Sequence, residues 1–544
     1  VTDPAGESAS HSLSSGLRFR DASGFVVLVL SIYALTGSRW NFGYEGSNLA
    51  QARALLDGTA HRDAAGVLLP YTQGGLLDVL AYIPAILVER LQLPGGLSPL
   101  VVAMVQPVLG TMLATASLWL GSELWRNRGA ALMVGLATAF ATMVWPQSKW
   151  GMELTQAILT VTGAAALVRF FRTHGRSRLA WIVGGASLGM IGLTKVTGIV
   201  HGAALGLLAL GYFLWSGPGE YRSLASRIRA FVGQPSAWVG LGLLGAGILT
   251  TLASNQWRYG GWFVGGRYAA SHAGSMLHIP GGWVGLLFSP NKSIILFNPP
   301  VLLGLVGGVL LCLKSRMALM ALVCGAGVVG LHLMVSPWAD ETYGPRRFLW
   351  LLPLLVACIP ATLHLEWCRR FCTILLFLGV AAQLLAVSFN FTNLPIAVGK
   401  SPHYHASNMV WNPQFQPQIF QWHLWKSRIQ RAGGGDSIPY EICMDYFAWL
   451  PNGAEQIALR EERLRAQGLP PLQVQQQKIQ GNGAVLRVSF PVDGLDVPDS
   501  WVVQREPGVE GWALGRTLMA ILFLGLAGWG VYLLQHPTSR QTSA

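Results

Sequence analysis

The stretch Arg39–Asp57 holds a carboxylate, Glu45, in a setting where an acid can do chemistry. Ser47 can cap a short helix that places Leu49, Ala52, Leu55 and Leu56 on one face, with Gly58 ending it. Glu45 then lies just ahead of a helix N-terminus, where the backbone dipole favours an ionised carboxylate and where a phosphate can also be held. A general base or an anion site fits that position, and so does an ordinary solvated loop acid.

The elements around it are apolar. Of the 544 residues, 52% are hydrophobic and only 12% charged, and the apolar residues come in repeated runs, which marks an integral membrane protein. The formal charge of +13 raises the question of nucleic acid, but in a membrane protein the placement of charge matters more than its sum, and nucleic acid is not implied. The first run, Gly24–Thr36, lacks a small-residue cleavage site and is followed by an Arg-Trp-Asn turn, so it reads as a retained span.

About twelve runs have the length and composition of spans. They are Gly24–Gly37, Ser98–Leu120, Ala130–Trp145, Leu154–Phe171, Trp181–Leu193, Gly198–Trp215, Ala237–Ser254, Val301–Leu313, Met317–Val335, Phe348–His364, Phe371–Phe389 and Trp512–Leu534. Leu76–Leu93 is interrupted by Asp78, Pro84, Glu89 and Arg90 and is placed as a helix in the outer interface. With that run not crossing, one side receives Arg126 and Arg128, the Arg169–Arg178 cluster, Arg222, Arg227 and Arg229, Lys314 and Arg316, and Arg369 and Arg370. That side is cytoplasmic by the positive-inside rule.

The other side receives the polar loops Arg39–Gly75, Pro146–Glu153, Thr194–Thr197, Asn255–Pro300 and Ser336–Arg347, and everything from Asn390 to Gly511. The organisation expected is a cytoplasmic tail (1–23), a transmembrane domain (24–389), an external domain (390–511), a last span (512–535) and a second cytoplasmic tail (536–544). In the external region, alternation such as AVLRVSFPV at 484–492 points to a small α+β unit. Gly281–Pro300 is apolar but broken by Pro290, Asn291 and Pro299, so neither half can span, and it reads as a pocket wall or an interfacial loop. Five of the six cysteines fall in spans or at the cytoplasmic edge, which argues against a structural disulfide and a cysteine metal site. His403 and His405 are close in sequence, on a stretch that reads as an exposed loop.

Four stretches, in order, resemble motifs of the GT-C class of membrane glycosyltransferases, which use polyprenyl-phosphate-linked sugars outside the cytoplasmic face. They are PYTQGGLLDVLAYIP at 70–84, WPQSKWGMEL at 145–154, GLLFSPNKSIILFNPP at 285–300 and ETYGPRRFLWLLP at 341–353. The resemblance covers most of Gly24–Phe389 and departs from the class at Tyr44-Glu45, where many members carry Asp-Glu. It implies an all-α polytopic bundle of about twelve spans with interfacial helices in the first external loop, working in a bacterial inner membrane with its site facing the periplasm.

Such a transfer needs a base for the acceptor hydroxyl, cations for the leaving phosphate and an apolar groove for the prenyl tail. The resemblance then casts Glu45 as base, with Asp340 second and Glu153 third. Arg346 and Lys292 become the leading phosphate partners, with Lys149, Arg258, Arg267 and Lys195 behind them. Trp40, Trp338 and Tyr343 offer faces for sugar rings, although aromatic residues gather at membrane interfaces in any case. The partners implied are a polyprenyl-phosphate sugar donor, a lipid, glycan or protein acceptor, and membrane lipids. No cofactor is assigned, and a divalent cation, Mg or Mn, is the one candidate. A transporter or flippase for a lipid-linked saccharide and a non-catalytic membrane scaffold are the competing readings. The first would more naturally show internal repeats and midplane charges, which this chain does not.

Overall fold

The structure, a computed structural model, describes residues 17–37, 44–62, 68–69, 75–92, 97–150, 153–195, 197–215, 225, 229, 232–262, 279–335, 344–389, 416–438, 440–446, 473–478, 484–490 and 512–535. Long runs of Leu, Ala and Val form helices because in hydrocarbon each backbone amide must find its partner within its own segment. In chain order the helices are α1 (Phe19–Thr36), α2 (Tyr44–Asp57), α3 (Leu76–Leu80), α4 (Ile83–Glu89), α5 (Leu97–Ala103), α6 (Val105–Trp125), α7 (Arg128–Phe140), α8 (Val144–Trp150), α9 (Leu154–Arg172), α10 (Arg178–Met190) and α11 (Gly198–Trp215). They continue as α12 (Pro235–Tyr259), α13 (Ile279–Phe288), α14 (Ile294–Phe297), α15 (Val301–Lys314), α16 (Arg316–Val335), α17 (Leu351–Val356), α18 (Glu366–Ser388), α19 (Pro417–Ala432) and α20 (Trp512–Gln535).

Among the described residues, seven helices are long and apolar enough to cross a membrane, within α1, α5–α6, α9, α12, α16, α18 and α20. Five of the expected spans hold shorter apolar helices instead, at 128–140, 178–193, 198–212, 301–314 and 351–362. The last of these is broken where Pro353 and Pro360 interrupt the amide ladder, and short 3₁₀ turns at Arg346–Phe348, after Pro345, and at Ile359–Thr362 lie on either side of α17. Large apolar side chains on the outer faces, among them Leu249, Phe377, Ile521 and Leu524, are more than half exposed. Such a surface suits lipid rather than water.

Leu76–Leu93 forms α3 and α4, both far too short to cross. They pack with α2 around Tyr82, Val79 and Ala52. Gly281–Pro300 likewise breaks into α13 and α14, and side chains satisfy the irregular backbone. Asn298 Oδ1 accepts from the Met143 amide at 2.7 Å, and Gln383 donates to the Phe297 carbonyl at 2.5 Å. One reading of the first loop is corrected. The helix begins at Tyr44, so Ser47 lies inside it rather than capping it, and Glu45 belongs to its first turn.

Apart from the small cluster around Tyr82, the described residues share a larger core cluster that includes Phe25, Tyr33, Leu113, Trp145, Phe297 and Phe348. Tyr33 crosses it to donate to the Ala139 carbonyl at 2.7 Å. Helices α10 and α12 touch backbone to backbone along a glycine seam. A Cβ on Gly189 would lie 2.6 Å from the Leu243 carbonyl oxygen, and one on Gly247 would overlap the Gly189 backbone. Small residues at a helix crossing permit this approach in a membrane, where packing replaces the hydrophobic drive. Gly247→Leu is expected to cost about 1–3 kcal/mol or more by forcing the pair apart, read as a lowered melting temperature of the purified protein.

After α2 the chain forms a short antiparallel pair, β1 (His61–Arg62) and β2 (Leu68–Leu69), and within the region Asn390–Gly511 the described residues form α19 and a three-stranded antiparallel sheet, β3 (Tyr440–Tyr446), β4 (Gln473–Lys478) and β5 (Ala484–Phe490), ordered β3-β5-β4. Ile442 and Val474 both pair with Val488 of the central strand. Helix α19 packs on α18, where Gln421 donates to the Ala386 carbonyl at 3.0 Å.

Candidate active site

At the N-terminal end of α9 the chain collects two carboxylates and several cations. Glu153 sits at the N-cap position of α9 with φ +66°, a left-handed backbone that is uncommon outside glycine and costs of order 1 kcal/mol. Its side chain is 6% exposed and ion-paired with Lys195, which follows the short 3₁₀ turn after α10. Burial pushes the Glu153 carboxyl up, but Lys195, Arg346 and Arg347 outweigh it and hold it down to about 2. The carboxylate is therefore ionised at any physiological pH.

Asp78, in α3, is the second acid. It accepts from the Thr155 hydroxyl and, at 3.3 Å, from the Gly75 amide. Burial dominates here and Glu153 adds to it, so that even with the Thr155 hydrogen bond and Lys195 opposing, Asp78 is pushed up to about 6. Two neighbouring carboxylates are thus driven apart, one fixed as an anion and one poised to take and release a proton near neutrality. The placement of α3 depends on Gly75, because any Cβ there would overlap the carbonyl of Thr194, the residue before Lys195.

Arg346 is buried in the 3₁₀ turn that follows Gly344-Pro345. Lys292, also buried, donates to the Gly344 carbonyl at 3.1 Å and so braces that turn. Deeper along α9 lies a buried histidine pair, His201 of α11 and His332 of α16, with their Nε2 atoms 2.8 Å apart. Thr160 donates to the Gln156 carbonyl at 2.8 Å, which leaves its oxygen to accept from His201 Nδ1 at 2.9 Å. His201 Nε2 is then the acceptor and His332 Nε2 the donor. Trp350 stacks edge-on against His201 with centroids 4.5 Å apart, tying the Arg346 segment to α9 and α11.

Compared with known proteins, the chain matches no family model and none of the curated proteins.

Of the residues singled out from sequence, the structure brings together Glu153, Lys195 and Arg346, with Lys292 as a brace. Lys149 is buried and ties α8 to the end of α18 through the Val387 carbonyl at 2.7 Å. Arg258, near the end of α12, is buried with its guanidinium 5.0 Å from the centre of the Tyr259 ring. The side chain of Glu45 lies outside the described residues, as do Trp40, Arg267, Trp338, Asp340, Tyr343, His403 and His405. The backbone of Glu45 is in α2, which packs on the Asp78 helix.

Sequence reading passed over Asp78, Arg347 and the histidine pair. Asp78 carried a signal, since an acid inside an apolar run is costly without a role. The histidines stand 131 positions apart and gave none. Glu153 is already engaged by Lys195, and among the described residues no group of three or more His, Cys, Asp or Glu is placed to hold a metal.

Proposed function

We propose that this chain is a membrane-embedded glycosyltransferase that moves a sugar from a polyprenyl-phosphate donor to a hydroxyl of a lipid, glycan or protein acceptor. The observation that carries this reading is geometric: Asp78, held by Thr155 and the Gly75 amide, stands beside the buried Glu153–Lys195 ion pair within the electrostatic reach of Arg346 and Arg347, and this setting pushes Asp78 up to about 6 while holding Glu153 down to about 2. Asp78 accepts the proton of the acceptor hydroxyl while that oxygen bonds to the anomeric carbon. The bond from that carbon to the phosphate oxygen breaks, and the polyprenyl phosphate leaves with its electron pair. Arg346 and Arg347 meet its charge, and Glu153 keeps the cations aligned. Glu45, on the adjacent helix α2, is the second candidate for the base.

The finer topology belongs to the same reading. The seven long helices and five shorter ones together make twelve crossings, the α9 N-terminal end faces the periplasm of a bacterial inner membrane, and 390–511 is an external α+β domain. The test is sugar transfer by the purified protein with a panel of polyprenyl-phosphate sugars and native lipid extract as acceptor, beside Asp78→Asn and Glu45→Gln. Transfer lost in Asp78→Asn supports the assignment, and transfer lost only in Glu45→Gln moves the base to α2. Movement of intact lipid-linked saccharide across vesicles without transfer would replace the enzyme with a flippase.

Replacing Arg346 with Gln is expected to slow transfer by about 10²-fold or more, as loss of a charged donor at a developing anion does. Glu153 stays ionised, so the pH dependence of transfer should be unchanged in that variant.

A further inference from the structure

We propose that the chain holds one anionic phospholipid at the opposite end of α9, with an acyl chain in a groove between α1, α6 and α9 and its phosphate at Arg169 and Arg172. The groove is open and encloses about 530 Å3. Its walls include Val26 and Leu30 of α1, Val108, Met112 and Trp119 of α6, and Ile158 of α9. Thr111 and Thr115 also line it, but their hydroxyls donate to the carbonyls of Pro107 and Thr111 at 2.8 Å each and so ask nothing of a guest. An apolar groove of this kind, on helices long and apolar enough to cross a membrane, suits a hydrocarbon chain.

The groove leads to a charge cluster. On α6 the lining positions 108, 112, 115 and 119 follow helical spacing and continue to Glu123, and on α9 Ile158 and Thr162 continue in the same stripe to Arg169. From Val108 to Trp119 the stripe covers about 16 Å along the helix axis. Glu123 accepts from Arg169 and Arg172, both at 2.8 Å, and from the Trp119 indole at 3.1 Å. Trp119 therefore belongs to both features, lining the groove and sharing one carboxylate oxygen with Arg169.

One carboxylate faces two guanidiniums, so a positive charge is left over. The Arg169 and Arg172 side chains are 37% and 28% exposed, open enough to receive a ligand. Guanidinium groups match phosphate oxygens in a planar fork. A zwitterionic lipid brings its own cation to that phosphate, whereas an anionic lipid answers the unmatched charge. This inference rests on the membrane-spanning architecture and not on the transferase reading.

The experiment is lipid retention. Delipidated protein in detergent is titrated with phosphatidylglycerol or with phosphatidylcholine of the same chains, and bound lipids are counted per chain by native mass spectrometry. One phosphatidylglycerol is expected to be held about tenfold more tightly than phosphatidylcholine. Glu123→Gln/Arg169→Gln/Arg172→Gln removes the three charges together, leaves no buried ion stranded, and should erase the preference. Thr115→Trp fills the groove, leaves the arginines in place, and should release both lipids. Equal retention of the two lipids by the unaltered protein would overturn the proposal, as would unchanged phosphatidylglycerol retention in the two variants.

Discussion

Asp78→Asn is expected to reduce sugar transfer by at least ~10²-fold while leaving the protein folded. Asparagine keeps the shape and can still accept from the Gly75 amide, so the start of α3 survives, but it cannot take a proton. In the unaltered protein, transfer should fall as pH drops below about 6, because Asp78, the proposed base, works only when ionised. Glu153, held at about 2, adds no second limb in that range. Stability should move the other way. A carboxyl whose folded-state pKa is raised binds its proton more tightly folded than unfolded, so its ionisation costs stability as pH climbs from the ordinary carboxylate range through about 6. Above that pH Asp78→Asn should melt at the same temperature as the parent or higher, and a large drop would mean that Asp78 is a structural acid. A pH–rate profile and a thermal melt on the same preparations check both halves.

Gly75→Ala should be among the most damaging single-methyl changes in the chain. The added Cβ meets backbone, the Thr194 carbonyl, rather than the yielding end of a side chain. Either α3 or the turn that carries Lys195 must move, and overpacking of this kind costs typically about 1–3 kcal/mol, with backbone contacts at the upper end. Because the same contact sets Asp78 against Lys195 and Glu153, transfer should fall along with the melting temperature. Its pairing with Asp78→Asn is informative. One variant should lose activity with stability intact, and the other should lose both. A Gly75→Ala protein with normal melting and normal transfer would show that α3 does not stand against Thr194 in the working protein.

Much of the architecture was legible because hydrocarbon leaves a chain few choices. Apolar runs of sufficient length had to become helices, and each of the twelve runs read from sequence does contain one. The interruptions were legible too. Asp78, Pro84, Glu89 and Arg90 marked Leu76–Leu93 as interrupted, and it divides into α3 and α4; Pro290, Asn291 and Pro299 announced the break between α13 and α14. Strand alternation at 484–490 pointed to β5. Boundaries were less secure. The run at 348–364 holds α17 with short 3₁₀ turns beside it rather than one continuous helix, because Pro353 and Pro360 interrupt the amide ladder.

The site needed the tertiary structure. Glu153, Lys195 and Arg346 were visible as polar residues in loops read as sharing one side of the membrane, but nothing local in the chain said that they would meet. Asp78 looked like a flaw in an apolar run until α3 was set against Thr194 and Thr155. His201 and His332 are ordinary isolated residues until α11 and α16 bring their rings together over α9. The sequence by itself determined which segments must be helical and where charge accumulates, since those follow from local transfer free energies along the chain. Only the tertiary structure decided which acid is poised to accept a proton and which is locked as an anion. Both are carboxylates of similar intrinsic acidity, and what separates them is burial and the charges that distant helices place beside each one.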